Sequence, residues 1–155
     1  NYILISYSKK IIIVTIFTIT AIMAITFDPY KEKDIRKTTE YVTKIKALKQ
    51  KDKDLVVLIS PSWTYYAFTY EYNKTYFSDY KNTKSKLALE NIYAIDSLWN
   101  LNAEILTKNP PIAYVDEWAE LSDPKKTVYK HLEKLNRPTE TFDFGGIKVT
   151  YIPKY

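Results

Sequence analysis

Residues 54–59 read DLVVLI, an apolar run in which two valines and an isoleucine follow the aspartate. A short apolar run rich in β-branched residues is typical of a strand that is covered on both faces of a parallel sheet. The run therefore predicts a central strand. Ser60 and Pro61 follow it, and they predict the start of a helix with the serine as capping residue and the proline at the first helical position.

The sequence on either side of this strand alternates between helical and strand patterns. Upstream, apolar residues in 31–50 recur at helical spacing with charges between them. Downstream, the pattern predicts a helix over 61–73, a strand over 91–95, a helix from 96 or 97 to 107 and a strand over 111–115. The next predicted helix starts at Asp123-Pro124 and buries Val128, Leu132 and Leu135. The last element is a hairpin over 139–153 that turns at Gly145-Gly146. This order predicts a three-layer α/β domain whose sheet is mainly parallel and ends in an antiparallel hairpin.

The helix predicted over 61–73 has aromatic side chains around nearly its whole circumference. They are Trp63, Tyr65, Tyr66, Phe68, Tyr70 and Tyr72. Since a surface helix needs only one apolar stripe to pack on a core, we expect this helix to be contacted on two sides. Tyrosine and tryptophan favour membrane interfaces, so the second side would face the membrane-embedded part of the protein. The alternative is that some of these rings fill the core and the others are simply exposed.

Polar and aromatic residues follow each predicted parallel strand, and open α/β sheets bind ligands beyond the carboxyl ends of such strands. Carboxylates accept hydrogen bonds from sugar hydroxyls, and aromatic rings cover the apolar faces of sugar rings. The residues that this pattern predicts for ligand binding are Ser60, Ser62, Trp63, Tyr66, Asp96, Asp116, Glu117 and Trp118.

A structural interpretation of the same residues is the alternative. Ser60 and Asp96 would then be helix caps, Trp118 would fill core, and Glu117 would be solvated. Asp116 and Glu117 are adjacent, so in a strand they would point to opposite faces and would be a poor acid/base pair. We predict no catalytic residue in this chain.

Residues 11–27 read IIIVTIFTITAIMAITF and carry no charge. As a helix they would reach about 25 Å, close to the roughly 30 Å of a bilayer's hydrocarbon core, which predicts a transmembrane helix. A secretory signal peptide is one alternative, since Lys9 and Lys10 precede the run, but the run is long for that purpose and lacks a suitable cleavage site. A buried core helix is the other, although a small domain would rarely surround so long an apolar segment.

Residues 1–10 read NYILISYSKK and begin with asparagine, so we interpret the chain as a fragment or a processed form. The segment resembles the end of a preceding membrane helix and a cytoplasmic turn, because lysines in short loops favour the cytoplasmic side. The predicted organisation is therefore a helix end and turn at 1–10, a transmembrane helix at 11–27, and an extracytoplasmic soluble domain at 28–155. The protein would lie in the inner, cytoplasmic membrane.

Composition narrows the functional classes. The chain has no cysteine, which excludes disulfides and thiolate metal sites, and its single histidine, His131, has no partner histidine. Its two glycines are adjacent in the hairpin, so a glycine-rich phosphate loop is absent, as is a nucleophile elbow. These observations disfavour an independent NTPase or hydrolase, and we predict no metal and no cofactor within the chain.

The net charge of +5 is concentrated after the predicted membrane helix, where residues 28–53 have nine Lys or Arg against five Asp or Glu. Anionic lipid headgroups or a lipid phosphate would complement this charge. The alternative is an ordinary solvated helix face. Nucleic-acid binding is disfavoured because it calls for a stronger basic stripe.

Residues 34–42, DIRKTTEYV, resemble a helix found in bacterial polyprenyl-phosphate-sugar-dependent membrane glycosyltransferases of the C type, which are related to protein O-mannosyltransferases and lipid A aminoarabinose transferase. In that family the helix commonly reads Asp-Trp-Arg, then small residues and Tyr-Ile or Tyr-Leu. A strand, a proline turn and a tyrosine-rich helix follow, as in 54–72 here, and the closing hairpin is also similar. The chain departs from the pattern at Ile35, where tryptophan is usual, and in its separated Tyr70 and Tyr72.

The resemblance implies an enzyme that transfers a sugar from a polyprenyl-phosphate carrier to an extracytoplasmic acceptor, with catalytic acidic residues upstream of this chain. The implied partners are the lipid bilayer, the missing N-terminal transmembrane part, and a lipid-linked sugar or glycan acceptor. The domain at 28–155 would be accessory, either capping the membrane part or binding the acceptor. The alternative is a non-enzymatic membrane-anchored α/β domain that binds a protein or an envelope glycan.

Overall fold

The computed structural model describes residues 15, 16, 18, 34–48, 54–100 and 104–154. The chain divides into two compact units, Asn1–Glu32 and Lys33–Tyr155. In the first unit, the described residues Thr15, Ile16 and Thr18 are helical and exposed.

The predicted transmembrane helix at 11–27 and the turn at 1–10 otherwise lie outside the described residues. Within the ranges that are described, no helix combines the length and the apolar character needed to cross a membrane.

The second unit contains a five-stranded mixed sheet. Its strands are β1 (Val56–Ser60), β2 (Ile92–Ala94), β3 (Ile112–Asp116), β4 (Glu140–Phe144) and β5 (Ile147–Ile152). Their order across the sheet is β2-β1-β3-β5-β4. β1 pairs in parallel with β2 and β3, which confirms the central strand that the apolar run predicts.

The other two pairings in the sheet are antiparallel, β3 with β5 and β4 with β5. The prediction of a mainly parallel sheet is therefore wrong, because half of the pairings are antiparallel. The predicted position of the hairpin is confirmed, since β5 and β4 lie at one end of the sheet with β5 beside β3. The hairpin turn itself is as predicted, with Gly145 and Gly146 at φ of 65° and 98°, in the left-handed region that favours glycine.

In the described chain one helix precedes β1 and the others lie between β1 and β4 in sequence. They are α1 (Ile35–Leu48), α2 (Tyr65–Tyr72), α3 (Thr83–Leu89), α4 (Glu104–Thr107), α5 (Ala119–Ser122) and α6 (Thr127–Lys134), with 3₁₀ segments at Ser62–Thr64, Lys74–Asn82 and Leu98–Asn100. The α/β class is confirmed. Of the helix predicted from 96 or 97 to 107, the described residues contain the 3₁₀ turn at Leu98–Asn100 and α4, and residues 101–103 lie outside the described residues.

Two helix starts differ from the prediction. Ser60 is the last residue of β1 and does not cap a helix, and the Ser60-Pro61 peptide bond is cis. α6 begins at Thr127 and not at Asp123-Pro124, because Lys126 has a left-handed backbone (φ 51°) that separates the proline from the helix. Asp123 still acts as a cap, since its Oδ2 accepts hydrogen bonds from Thr127 Oγ1 at 3.0 Å and Val128 N at 2.9 Å.

Helices cover both faces of the sheet, because β1 and β3 bury alternate side chains on opposite sides. On the first face, residues such as Val57 and Val115 pack with Val42 of α1 and Phe68 of α2. On the second face, residues such as Leu58 and Tyr114 pack with Ala119 of α5 and Val128 and Leu132 of α6. We call these two groups of buried residues the first-face core and the second-face core.

Candidate ligand-binding groove

A groove of about 600 Å³ opens on the second face, beside the carboxyl end of β3. Strands β3, β5 and β4 supply its floor, and α5, α6 and the loop between them supply the wall. It is lined by Tyr114, Asp116, Ala119, Glu120, Asp123, Lys126, Tyr129, Thr141, Lys148 and Thr150.

The groove exists because the helices of the second face pack over β1, β3 and Ile152 at the end of β5 but leave β4 and the rest of β5 uncovered. In β5 the side chains of Ile147, Val149 and Tyr151 are buried on the first face, while Lys148 is exposed and Thr150 is half-buried. This alternation turns polar side chains toward the open floor. The hydroxyls of Thr141 and Thr150 lie 3.2 Å apart across the β4–β5 pair.

Two of the acidic residues of the groove hold helices in place. Asp116 Oδ1 accepts a hydrogen bond from Ala119 N at 2.9 Å and so caps α5. Asp123 is buried and caps α6. Glu120 differs from both, because its side chain is exposed on α5 at the mouth of the groove. The acid best placed to accept hydrogen bonds from a ligand is therefore Glu120.

Tyr114 forms the buried base of the groove. Burial of the phenol and the neighbouring Asp116 carboxylate raise its pKa, and the Ser60 hydroxyl acts in the opposite direction. Ser60 Oγ is itself buried and makes no hydrogen bond of standard geometry. A tyrosine phenol is neutral at physiological pH and the pKa shift is upward, so Tyr114 offers a neutral hydroxyl and not a base.

The mouth of the groove combines one exposed ring with two cations. Tyr129 on α6 is 47% exposed. Lys126 and Lys148 are exposed on the loop before α6 and on β5. The groove therefore contains an aromatic ring, hydroxyls, a carboxylate and two ammonium groups. Such a site can bind a polar, hydroxyl-rich molecule by stacking and hydrogen bonding.

Of the eight residues that the sequence predicts for ligand binding, Asp116 is the one that lines the groove. Ser62 and Asp96 bind each other: Asp96 Oδ1 accepts from Ser62 N and Oδ2 from Ser62 Oγ, both at 2.9 Å. Asp96 thus caps the 3₁₀ turn after β1 from another loop, and it does not cap a helix of its own as predicted. This contact brings the ends of β1 and β2 together.

Of the remaining predicted residues, Glu117 and Trp118 lie at the same sheet edge, whereas Trp63 and Tyr66 lie elsewhere. Glu117 N donates to the Ser60 carbonyl at 3.0 Å, which ties the end of β3 to the end of β1. Glu117 and Trp118 are half-buried there. Trp63 and Tyr66 are exposed on the outer side of the α2 region and are distant from the groove lining.

Several groove residues were not among the predicted ones. They are Tyr114, Ala119, Glu120, Asp123, Lys126, Tyr129, Thr141, Lys148 and Thr150. The alternation in 147–152 was a usable signal, since it places Lys148 and Thr150 on one face of β5. Tyr129 carried no such signal, because its role depends on where α6 crosses the sheet.

A second polar cluster lies on the first face, before the amino end of β2. The carboxylate of Glu90 accepts short hydrogen bonds from the hydroxyls of Tyr72 and Tyr76. Lys46 Nζ donates to the Glu90 carbonyl at 2.8 Å and to Tyr72 OH at 3.2 Å, and lies 3.6 Å from Glu90 Oε2. We call Lys46, Tyr72, Tyr76 and Glu90 the Glu90 cluster.

Electrostatics in the Glu90 cluster favour its charged form. Burial raises the pKa of Glu90, but hydrogen bonds from Tyr72 and Tyr76 and the charge of Lys46 outweigh burial and hold this pKa below its usual value. Burial lowers the pKa of Lys46, and Glu90 partly offsets this effect. The pKa of Tyr72 is raised by burial and by its bond to Glu90. The cluster ties α1, α2 and the end of α3 to one another.

Comparison of the chain with protein families, with curated proteins and with solved structures finds no match. Within the described ranges, no group of three or more His, Asp or Glu side chains is arranged to hold a metal ion. We therefore infer the class of ligand from the side chains that line the groove.

Proposed function

We propose that the α/β domain binds a glycan or the sugar of a lipid-linked carrier in the groove beside β3. The observation that carries the proposal is the combination of an exposed ring, Tyr129, with hydrogen-bonding groups on the facing strands. Sugars present apolar ring faces and many hydroxyls, and such a site matches both at once.

The groups around Tyr129 suit a hydroxyl-rich ligand. Glu120 is an acceptor, and the paired hydroxyls of Thr141 and Thr150 are donors and acceptors 3.2 Å apart. Lys126 and Lys148 add positive charge for a carboxylate or phosphate on the ligand. The volume of about 600 Å³ lies within the range of ordinary small-molecule sites.

We further propose that this domain is the accessory part of an integral-membrane glycosyltransferase, and that it binds or positions the extracytoplasmic acceptor. The resemblance of 34–42 and the apolar run at 11–27 support this assignment. The donor would be a sugar on a polyprenyl phosphate, and the catalytic acids would lie upstream of this chain. If the chain is not part of an enzyme, the alternative is a membrane-anchored domain that binds an envelope glycan in the same groove.

Ligand binding is tested with the full chain in nanodiscs, screened against an array of bacterial envelope glycans and then titrated calorimetrically with any glycan that binds. We expect Tyr129→Ala to lower affinity about tenfold or more, since an aromatic stack contributes roughly 1 kcal/mol beyond burial. Trp99→Ala is the matched control, because Trp99 is 89% exposed and lies outside the groove. No glycan binding, or equal losses in both variants, would overturn the groove assignment.

The enzymatic part is tested separately by reading the gene upstream of Asn1. We expect many more membrane helices and an acidic residue in the first outer loop. A reading frame that opens within a few residues of Asn1 would contradict the glycosyltransferase assignment and leave glycan binding to be judged by its own experiment.

A further inference from the structure

Exposed aromatic side chains lie on α2 and on the 3₁₀ segments before and after it. Trp63, Tyr66, Tyr70 and Tyr80 are 49%, 37%, 52% and 58% exposed. With the half-buried Phe77 we call them the aromatic surface. Isolated exposed rings are common in proteins, but a contiguous group of them marks an interaction surface.

The aromatic surface is an ordered arrangement and not a set of independent rings. Tyr66 and Tyr80 are stacked with centroids 5.6 Å apart, and their hydroxyls lie 2.6 Å from each other. The rings of Tyr70 and Phe77 lie 6.4 Å apart. The hydroxyl contact leaves a polar rim on an apolar face.

The domain's core does not require these rings. On the opposite side of α2, Tyr65 and Phe68 are 4% and 0% exposed and fill the first-face core. One apolar stripe is enough to hold a surface helix, so the outer rings are surplus to folding. In the structure these rings are exposed, and a second contact for the helix stays a prediction.

Two lysines contact a ring of the aromatic surface or the ring beside it, since Tyr65 lies 4.0 Å from Tyr66 between ring centroids. Lys74 Nζ lies 4.5 Å from the ring centroid of Tyr70, and Lys84 Nζ lies 4.9 Å from that of Tyr65. Residues 74–86 contain four lysines and one acid, Asp79. Asp79 is itself engaged, because Lys86 Nζ lies 3.8 Å from its Oδ2 and Asn82 donates to that oxygen at 2.8 Å. The net field of this segment is positive.

We propose that the aromatic surface docks on the headgroup region of an anionic phospholipid bilayer. Tyrosine and tryptophan rings insert at that depth because the ring is apolar and the hydroxyl or N–H stays hydrated. Lys74, Lys81 and Lys84 are exposed beside the rings and complement anionic headgroups. Lys74 contacts Tyr70, and the charge of Lys84 acts on Tyr80, so positive charge lies next to the rings, which is the arrangement that an anionic interface favours. The inference does not depend on what the groove binds.

The chain has no native cysteine, so single labels can be placed without removing any residue. Trp63→Cys and Tyr70→Cys are each labelled with a nitroxide in the full chain, reconstituted in nanodiscs of phosphatidylcholine with or without phosphatidylglycerol. Trp99→Cys is the matched control, since Trp99 is an exposed aromatic (89%) outside this surface. Circular dichroism of each labelled variant confirms that it is folded.

We expect the labels at 63 and 70 to lose accessibility to a water-soluble nickel complex and to gain accessibility to oxygen in anionic discs alone, while the label at 99 stays exposed. Replacing Lys74 and Lys84 by glutamine should lower the ratio of docked to free label about 30-fold, from roughly 1 kcal/mol for each lysine.

Three outcomes would overturn the inference. One is that the labels stay exposed in every disc. A second is protection that does not depend on lipid charge or that includes position 99. The third is protection that appears only when the upstream polypeptide is present, which would make the partner of the aromatic surface a protein.

Discussion

The Glu90 cluster and the groove beside β3 each contain carboxylates, lysines and tyrosines, yet they use these groups in opposite ways. In the Glu90 cluster every oxygen of the carboxylate points at a donor of the same chain, from Tyr72, Tyr76 or Lys46. In the groove, Glu120, Lys148 and Tyr129 are turned to solvent. The same residue types therefore stabilise the fold at one edge of the sheet and offer a binding surface at another.

The difference follows from the layers around the sheet. On the first face α1, α2 and the end of α3 converge before β2, so the polar side chains there are half-buried and bind partners inside the protein. On the second face the helical layer ends over β3 and Ile152 at the end of β5, and the side chains of β4 and the rest of β5 on that face remain accessible. Burial, and not residue type, decides which set of polar groups is structural.

The sharpest test of this comparison is the same substitution made in both regions. Glu90→Ala removes the acceptor of two tyrosine hydroxyls and leaves the half-buried Lys46 without its carboxylate. We expect a loss of about 2–3 kcal/mol in the free energy of unfolding, with the ion-pair share reduced by solvent screening. Urea unfolding of the full chain in detergent measures it.

Glu120→Ala is the matched control for Glu90→Ala, because Glu120 is exposed. It should change the unfolding free energy by no more than about 0.5 kcal/mol. Equal losses in the two variants would show that the groove is as structural as the Glu90 cluster and would remove the distinction between them.

Asp123 tests whether a groove residue can be structural. It is buried and caps α6 through Thr127 and Val128. Asp123→Ala should cost about 1–2 kcal/mol of stability, as loss of a helix cap does, whereas Asp123→Asn should cost less because its amide oxygen still accepts a hydrogen bond. Thermal unfolding followed by circular dichroism gives both values; a stable Asp123→Ala protein would mean that the cap is dispensable.

The pH dependence of stability isolates the charge on Glu90. Its folded-state pKa lies below the ordinary value of 4.5, so the unfolded chain takes up the proton more readily. The stabilisation by the carboxylate is therefore complete above about pH 4.5 and is lost as the pH falls through the folded-state pKa.

This pH effect is measured by urea unfolding of wild type and Glu90→Gln across an acid series. The stability difference between the two proteins should shrink on acidification, because glutamine has no proton to bind. A difference that stays constant from about pH 7 to about pH 3 would show that the charge of Glu90 contributes nothing.

The smallest stability effect is expected at the floor of the groove. Thr150→Val keeps the side-chain volume and removes a hydroxyl that is half-buried and bonded only to Thr141 among the hydrogen bonds described for it. Stability should change by less than about 0.5 kcal/mol, while affinity for a bound glycan should fall about three- to tenfold, the value of one hydrogen bond. Calorimetric titration measures the affinity, and urea unfolding measures the stability. A loss of stability without a loss of affinity would show that the Thr150 hydroxyl stabilises the fold and does not bind the ligand.

Local patterns located most elements of this domain. The apolar run at 54–59, the helical spacing in 31–50 and the diglycine turn each depend on neighbours in sequence, so the corresponding β1, α1 and hairpin appear within a few residues of their predicted positions. The helix starts at Ser60-Pro61 and Asp123-Pro124 were misplaced. In the first case the capping carboxylate comes from Asp96 in another loop, which no local pattern contains.

Fewer of the groove residues than of the helices and strands can be predicted from the sequence. Asp116 was found because residues after a parallel strand lie at a known edge of the sheet. The pairing of Ser62 with Asp96, by contrast, uses two residues 34 positions apart, and it turned two predicted ligand contacts into a structural one. The groove's Tyr129 and Lys148 are likewise brought together only by the crossing of α6 over the sheet.

The sequence by itself determined the α/β class, the central strand and the hairpin, because periodicity and turn chemistry act over a few residues. Only the tertiary structure decided that β5 enters antiparallel beside β3, that two tyrosine hydroxyls bind Glu90, and that the second face leaves an open groove. These three features depend on which distant segments meet. Strand order and helix placement are set by the burial of whole faces, a property that no single stretch of sequence contains.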